Sequence, residues 1–310
     1  MKILAVGDLH IRQQRPKSRT DDYFKTQYGK IEWILRYYKE HNCNLLLIPG
    51  DLFDSPFTPY SVFQQYLKLF KTWNPKAIAI WGQHDLRYRV SKDNTPMKAF
   101  NAAGVITVPE ENYVMTPNNG INIKWLDQNV HVYGGSFGEP IFEPISLDKF
   151  NILLVHKMIV NETPLWEAQE EYTKASSLLK QYNYDLIVSG DNHTFFISEY
   201  KGKTLINCGS LMRSTIAQKD HIPKIVVYDT DTRKYEIISV PIQPIEEVMN
   251  LEAVETEKQT DEKLAAFVRG LSDYRETGLD FMRNLDKRIK EDNITEDIRN
   301  LILECAEEQA

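Results

Sequence analysis

Five short stretches place carboxylates, imidazoles and two carboxamides directly behind apolar runs. They are Gly7-Asp8-Leu9-His10, Gly50-Asp51-Leu52-Phe53-Asp54, Gly82-Gln83-His84-Asp85, Val155-His156 and Gly190-Asp191-Asn192-His193. Oxygen and imidazole donors in that mixture suit divalent ions of the manganese, iron and zinc type. A carboxylate shared between two such ions gives the two-metal arrangement that hydrolyses phosphate esters. Each stretch alone also has an ordinary reading. Asp-x-His behind a strand describes a capping aspartate beside a surface imidazole, Gly-Asp describes a turn, and a lone His156 describes a satisfied core imidazole. Repetition behind five apolar runs is what points to one site. Ligands collect at the carboxyl ends of strands in open α/β sheets. A glycine there lets the chain turn sharply and present the next side chain. The remaining histidines, His41, His131 and His221, are read as structural or surface residues.

The elements that must hold these groups follow from periodicity. Apolar runs at 2–6, 44–48 and 77–81 read as strands. Between them, residues 22–41 and 59–73 carry Ile31, Ile34, Leu35 and Tyr38, then Val62, Tyr66, Leu69 and Phe70, at helical spacing. Strand–helix alternation implies parallel pairing through right-handed crossovers. From about residue 104 short strands crowd together, at 121–125, 130–134, 151–156, 185–189, 195–200, 204–208, 223–228 and 234–240, with one helix near 173–182. This crowding predicts a second, mostly antiparallel sheet. The expected fold is α/β: two facing mixed β-sheets flanked by helices, with a small helical region at the C-terminal end. The expected division is a domain over 1–242, a linker over 243–260, and helices within 261–310 at 261–290 and 295–308.

Composition bounds the class. The chain has 310 residues, 42% hydrophobic and 26% charged, which reads as globular and soluble. No apolar run approaches the roughly 18 residues of a membrane span. The net charge of −7 is unfavourable for a nucleic-acid partner, but it is unevenly spread. Residues 243–310 hold 18 Asp/Glu against 9 Lys/Arg, whereas residues 1–242 hold 28 Lys/Arg against 26 Asp/Glu. Cys43, Cys208 and Cys305 fit no zinc or disulfide pattern, and the first residues carry no secretory pattern, so a cytoplasmic setting is expected.

The series Asp8-x-His10, Gly50-Asp51-x-x-Asp54, Gly82-Gln83-His84-Asp85, His156 and Gly190-x-x-His193 resembles the calcineurin-like metallophosphoesterases. Within them it is similar to the SbcD-type nuclease branch of double-strand-break repair, as are Asn207-Cys208-Gly209-Ser210 and the following Arg213. The resemblance covers about residues 1–240. It implies that Asp8, His10 and His193 bind one metal and that Asp51 bridges two. Gln83, His156 and Asp191 then complete the second. It further implies that His84, oriented by Asp85, stabilises charge on the phosphate or protonates the leaving oxygen. Two positions depart from the family, which has Asn at position 83 and His at position 191. Both departures fall on the second metal. They make that site harder and more negative, favouring Mn²⁺ or Mg²⁺, or they cripple it.

Basic residues flank two of the stretches. Arg12, Arg15, Lys17 and Arg19 follow the first, and Arg87 and Arg89 follow the third around Tyr88; Arg213 adds a cation. Such residues contact nucleic-acid phosphates and base faces, or form an ordinary solvated loop. The expected function is a DNA exo- or endonuclease working with two divalent ions. By resemblance, the acidic C-terminal helices bind an SbcC-like coiled-coil ATPase, and the chain forms a homodimer. A small-molecule phosphodiesterase or phosphatase, and a non-catalytic subunit that holds DNA or the ATPase, are the alternatives.

Overall fold

The computed structural model describes residues 1–109, 113–114, 121–126, 129–163 and 172–250. In chain order the elements begin with β1 (Lys2–Ala5), α1 (Tyr23–Glu40), β2 (Leu45–Ile48), α2 (Tyr60–Trp73), β3 (Ala77–Ala79) and α3 (Pro96–Ala102). Then come β4 (Tyr113–Val114), β5 (Ile121–Leu126), β6 (Val130–Gly135), β7 (Phe150–His156), β8 (Ile159–Val160), β9 (Thr173–Lys174) and α4 (Ala175–Gln181). The series ends with β10 (Leu186–Gly190), β11 (Phe196–Tyr200), β12 (Lys203–Asn207), β13 (Lys224–Asp229), β14 (Lys234–Ser239) and α5 (Ile245–Val248).

One sheet runs β14-β13-β1-β2-β3, with β1, β2 and β3 parallel and β13 antiparallel to β1. The other runs β11-β12-β10-β7-β6-β5-β4. Side chains alternate along each strand. Ile3, Ala5, Leu45, Leu47, Ile78 and Ile80 therefore pack against Val132, Ile152, Leu154, Leu186, Val188 and Ile206 between the sheets. The opposite face, with Leu4, Val6, Leu46, Ile48 and Trp81, packs on Ile31, Ile34 and Leu35 of α1 and on Val62, Tyr66 and Phe70 of α2. On the outer face of the second sheet, Leu153, Val155, Ile187 and Leu205 meet Leu178 and Leu179 of α4. Two mixed sheets thus face one another with helices outside. Each fully buried apolar side chain contributes about 1.5–3 kcal/mol.

The second sheet corrects one expectation. Its four central strands, β12, β10, β7 and β6, are parallel, and only β11, β5 and β4 pair antiparallel. The return from β6 to β7 crosses over through residues 136–149, which form no helix, so the usual sign of a parallel crossover is missing. Parallel register sets Gly190 opposite His156. The two sheets meet at their site-bearing edge, where the Asp8 N–H donates to Gly209 O (3.1 Å) in the loop after β12. The loops after β1 and β2 stay paired: His10 N–H donates to Asp51 O (2.9 Å) and Ile11 N–H to Leu52 O (2.9 Å).

Within the stretch expected as a linker, residues 243–250 pack on the segment around Ser18 and Thr20. Val248 and Met249 are buried. The Thr20 N–H donates to Val248 O (3.0 Å) and the Asn250 N–H to Ser18 O (3.0 Å). The first compact unit runs to Leu251. The helices expected within 261–310, and Cys305, lie outside the described residues. Cys43 and Cys208 are buried free thiols. Among the described residues no helix is long and apolar enough to cross a membrane.

Candidate metal centre

Backbone geometry at the strand ends forces the donors together. Gly50 has φ +104°, and a Cβ there would stand 2.3 Å from His156 Nδ1. A Cβ on Gly82 would stand 2.1 Å from Asp51 Oδ1. Both positions exclude every other residue type as long as the neighbours stay in place. His10, Asp51 and Asp191 have φ of 45°, 46° and 84°. Three non-glycine residues in the left-handed region within one site mark backbone strain held by the surrounding structure.

The side chains converge accordingly. His10 Nε2 lies 3.2 Å from His193 Nε2 and 3.7 Å from Asp51 Oδ2. His193 Nε2 lies 3.6 Å from Asp8 Oδ2, and His156 Nε2 lies 3.4 Å from Asp51 Oδ2. His156 Nδ1–H donates to Pro49 O at 2.6 Å, which turns Nε2 toward Asp51. Asp51 Oδ1 accepts the His84 N–H (2.9 Å), so Oδ2 is the oxygen facing both His10 and His156. Gln83 Nε2 donates to Asp191 Oδ1 (2.8 Å), and Asp191 N–H donates to Asp8 Oδ2 (3.0 Å).

Electrostatics describe a site short of cations. Burial pushes the Asp8 carboxyl up to about 7. Burial also opposes ionisation of Asp51, but contact with His156 and the charges of His156, His10 and His84 outweigh it and hold Asp51 down at about 2. His156 is the counterpart: burial lowers it, while Asp51, Asp8 and Asp191 drive it up to about 10. Without a metal, the proton on His156 is the positive charge that Asp51 retains. Burial and the neighbouring His10 hold His193 down at about 4.

The residues fit divalent ions. Eleven buried side-chain atoms among the described residues lack a hydrogen-bond partner, and five of them are Asp8 Oδ1, His10 Nδ1, Asp51 Oδ2, Gln83 Oε1 and His156 Nε2. Orphaned polar atoms are rare in a core, and five potential ligand atoms on residues of one site suit a cation. Asp8, His10 and His193 bring one ligand atom each within 4.8 Å of one another, and so do His10, Asp54 and His84. Asp51, Gln83, His156 and Asp191, expected to complete the second ion, adjoin the first group through Asp51 and Asp8.

The calcineurin-like phosphoesterase family model matches residues 1–195. The chain belongs to the calcineurin-like phosphoesterases. With its two candidate metal groups, this phosphoesterase is a metal-dependent hydrolase of phosphate esters. Solved structures matched by the chain include a dimetal phosphatase from Danio rerio, 8% identical, covering 78% of this chain and 99% of that chain, TM-score 0.49. A protein of Thermus thermophilus is 12% identical over 77% of this chain and 99% of that chain, TM-score 0.48. An archaeal phosphodiesterase is 15% identical over 77% of this chain and 99% of that chain, TM-score 0.38.

Three expectations about the phosphoesterase's site change. Asp85 does not touch His84: its carboxylate accepts the N–H groups of Phe53 (2.8 Å), Gly82 (3.1 Å) and Leu52 (3.3 Å). The His84 ring is held instead by Asp54, whose carbonyl accepts Nδ1–H at 3.1 Å. Arg19 and Arg213 are 3% and 4% exposed and cannot reach a phosphate. Arg19 pairs with Asp21 (2.7 Å) and donates to Arg213 O (2.9 Å), while Arg213 donates to Gln243 O (2.6 Å). Both arginines tie segments 18–21, 213 and 243 together. Arg15, Lys17 and Arg89 are exposed. Arg12 is tied to Asp54 Oδ1 (3.2 Å), and Arg87 is half-buried over the exposed Phe57 ring (5.0 Å to its centroid). Asp54 is the residue whose role residue types alone do not reveal. It touches His10 (3.5 Å), Arg12 and His84, and its signal is the second carboxylate of Asp51-x-x-Asp54.

The pKa shifts predict an inverted pH response for the metal-free protein. A raised Asp8 contributes stability that is full below its unfolded value of 3.8 and lost as pH rises through about 7. A raised His156 contributes stability that is full below 6.5 and lost as pH rises through about 10. Each group costs up to about 1.4 kcal/mol per pH unit within its window. Bound ions displace those protons, so stabilisation by metal grows with pH. Thermal unfolding with chelator or with Mn²⁺ at pH 5 and pH 8 is expected to show the larger Mn²⁺ gain in Tm at pH 8. Equal gains at both pH values would contradict this electrostatic picture.

Proposed function

We propose that this phosphoesterase cleaves DNA phosphodiester bonds with two divalent ions, Mn²⁺ foremost and Mg²⁺ as the alternative. The observation that carries the reading is the set of exposed basic residues, Arg15, Lys17 and Arg89, with half-buried Arg87 and exposed Phe57 and Tyr88, on the loops that follow the site-bearing strand ends. Cations there meet backbone phosphates, and aromatic faces meet bases. Asp8, His10 and His193 would hold one ion, His156 and Gln83 would serve the other, and Asp51 would be shared by both. Ions bound there supply Lewis-acid charge and activate the attacking water. The chain's own contribution is His84. Its Nδ1–H is fixed on Asp54 O, and the exposed ring presents Nε2–H of its protonated form to the leaving oxygen. The expected products are a 5′-phosphate and a 3′-hydroxyl. By the same reading the chain serves as the nuclease subunit of an SbcCD-like repair complex, meeting its ATPase through residues 261–310 and pairing as a homodimer.

The test is cleavage of linear DNA by the purified chain with Mn²⁺, beside hydrolysis of bis-p-nitrophenyl phosphate. A variant carrying Arg15→Gln, Lys17→Gln, Arg87→Gln and Arg89→Gln is expected to bind DNA more weakly. Its log–log salt slope should shrink by about 0.9 for each phosphate no longer neutralised, while the small ester is still hydrolysed. A chain that hydrolyses the small diester and leaves DNA intact would be a small-molecule phosphodiesterase. One that hydrolyses neither would be a non-catalytic subunit.

A further inference from the structure

Gln83 and Asp191 depart from the family pattern together, and they touch. Gln83 reaches from the end of β3 and Asp191 from the end of β10, and Gln83 Nε2 stands 2.8 Å from Asp191 Oδ1. An ionised carboxylate has no proton to give, so the fork of the Gln83 amide that faces it is the NH₂. The carboxamide is planar, so fixing the nitrogen fixes the oxygen as well. Gln83 Oε1 is buried and accepts no hydrogen bond. Asp191 is itself anchored, with φ +84° and its N–H on Asp8 Oδ2 at 3.0 Å. The lengths are complementary: Gln is one methylene longer than Asn, and Asp is shorter than His, and the two side chains meet at hydrogen-bond distance. His156, the neighbouring donor of the second ion, is oriented in the same fashion, by Pro49 O on its far nitrogen.

We propose that Asp191 is a positioning residue rather than a ligand: it holds the Gln83 amide so that Gln83 Oε1 becomes the amide ligand of the second ion. The pair then works as one unit, a neutral oxygen donor with an anionic support behind it. Such outer partners set the orientation and basicity of the ligand they hold. The inference rests on the two-metal reading of the centre but not on DNA as substrate.

A double-mutant cycle on Mn²⁺ binding tests it, with Mn²⁺ alone as the probe, followed by electron paramagnetic resonance and calorimetry. Gln83→Ala and Asp191→Ala are each expected to weaken the second Mn²⁺ about 10–100-fold, leaving the first in place. The double variant is expected to bind no more weakly than the worse single variant, because Asp191 acts through Gln83. Asp191→Asn keeps an acceptor for the Gln83 N–H and is expected to retain affinity within about threefold, which also controls for folding. Losses that add in the double variant, or an Asp191→Asn loss as large as that of Asp191→Ala, would make Asp191 a ligand in its own right and overturn the proposal. Binding of a single Mn²⁺ by the unaltered chain would overturn it too. Binding of two ions without DNA cleavage would remove the nuclease reading and leave this one standing.

Discussion

Asp51→Asn is expected to bind neither ion tightly and to lower kcat for phosphodiester hydrolysis by at least about a thousandfold, several kcal/mol of transition-state stabilisation. The expectation comes from the division of labour between its two oxygens. Oδ1 is committed to the His84 N–H, and Oδ2 lies 3.7 Å from His10 Nε2 and 3.4 Å from His156 Nε2. Among the described residues, no other carboxylate oxygen in the centre lies within 4.0 Å of histidines assigned to both ions. Asparagine keeps the first contact and offers an N–H to His156, so the fold survives while the shared anion is gone. Removing the charge also removes the largest of the causes that lift His156 to about 10, leaving those of Asp8 and Asp191. The metal-free variant should then lose less stability than the original chain as pH rises above about 7. Calorimetry with Mn²⁺ and unfolding across pH check both halves. A variant that still binds two ions at near-original affinity would refute the bridging role.

The parts of this molecule that are local in sequence were readable, and the parts that depend on distant neighbours were not. Apolar runs, most of them followed by a glycine and a polar or charged side chain, located the ends of β1, β2, β3, β7 and β10. The short helix α3 carries its cap in plain view, Thr95 Oγ1 accepting the Lys98 N–H (3.3 Å) with Pro96 following, but seven residues give too little periodicity to register. Parallel pairing in the second sheet was hidden because the β6–β7 crossover lacks a helix. Asp85 stands next to His84 in sequence, yet residues 82–85 form a turn, with Asp85 N–H on Gly82 O (3.2 Å), that sends its carboxylate inward to the amides of Leu52 and Phe53. Charge at Arg19 and Arg213 was visible, whereas their burial follows from carbonyls and a carboxylate contributed by segments as far apart in sequence as Arg19 and Gln243. Asp54 acts on His84 through its backbone carbonyl, a group every residue has, so no residue type announces it.

Replacing His84 separates chemistry from metal binding. Its backbone N–H supports Asp51, a contact that any residue except proline keeps, and its exposed ring is held through Nδ1 and edge-to-face against His10 (4.9 Å between centroids). His84→Ala is therefore expected to lower kcat about 10²–10⁴-fold, the usual worth of a positioned general acid. KM for DNA and the two-ion Mn²⁺ stoichiometry should stay near their original values. The loss should shrink for a substrate whose leaving group needs no proton, such as a p-nitrophenyl ester, because stabilisation of a good leaving oxygen is worth less. His84→Gln, which can donate a hydrogen bond but not a proton, should recover part of the rate on the p-nitrophenyl ester and little on DNA. The competing possibility is that His84 joins His10 and Asp54 as a ligand, since their donor atoms lie within 4.8 Å of one another. In that case His84→Ala would cost one Mn²⁺ and affect both substrates equally. That outcome would move His84 from proton transfer to metal binding and leave the leaving oxygen without an identified acid.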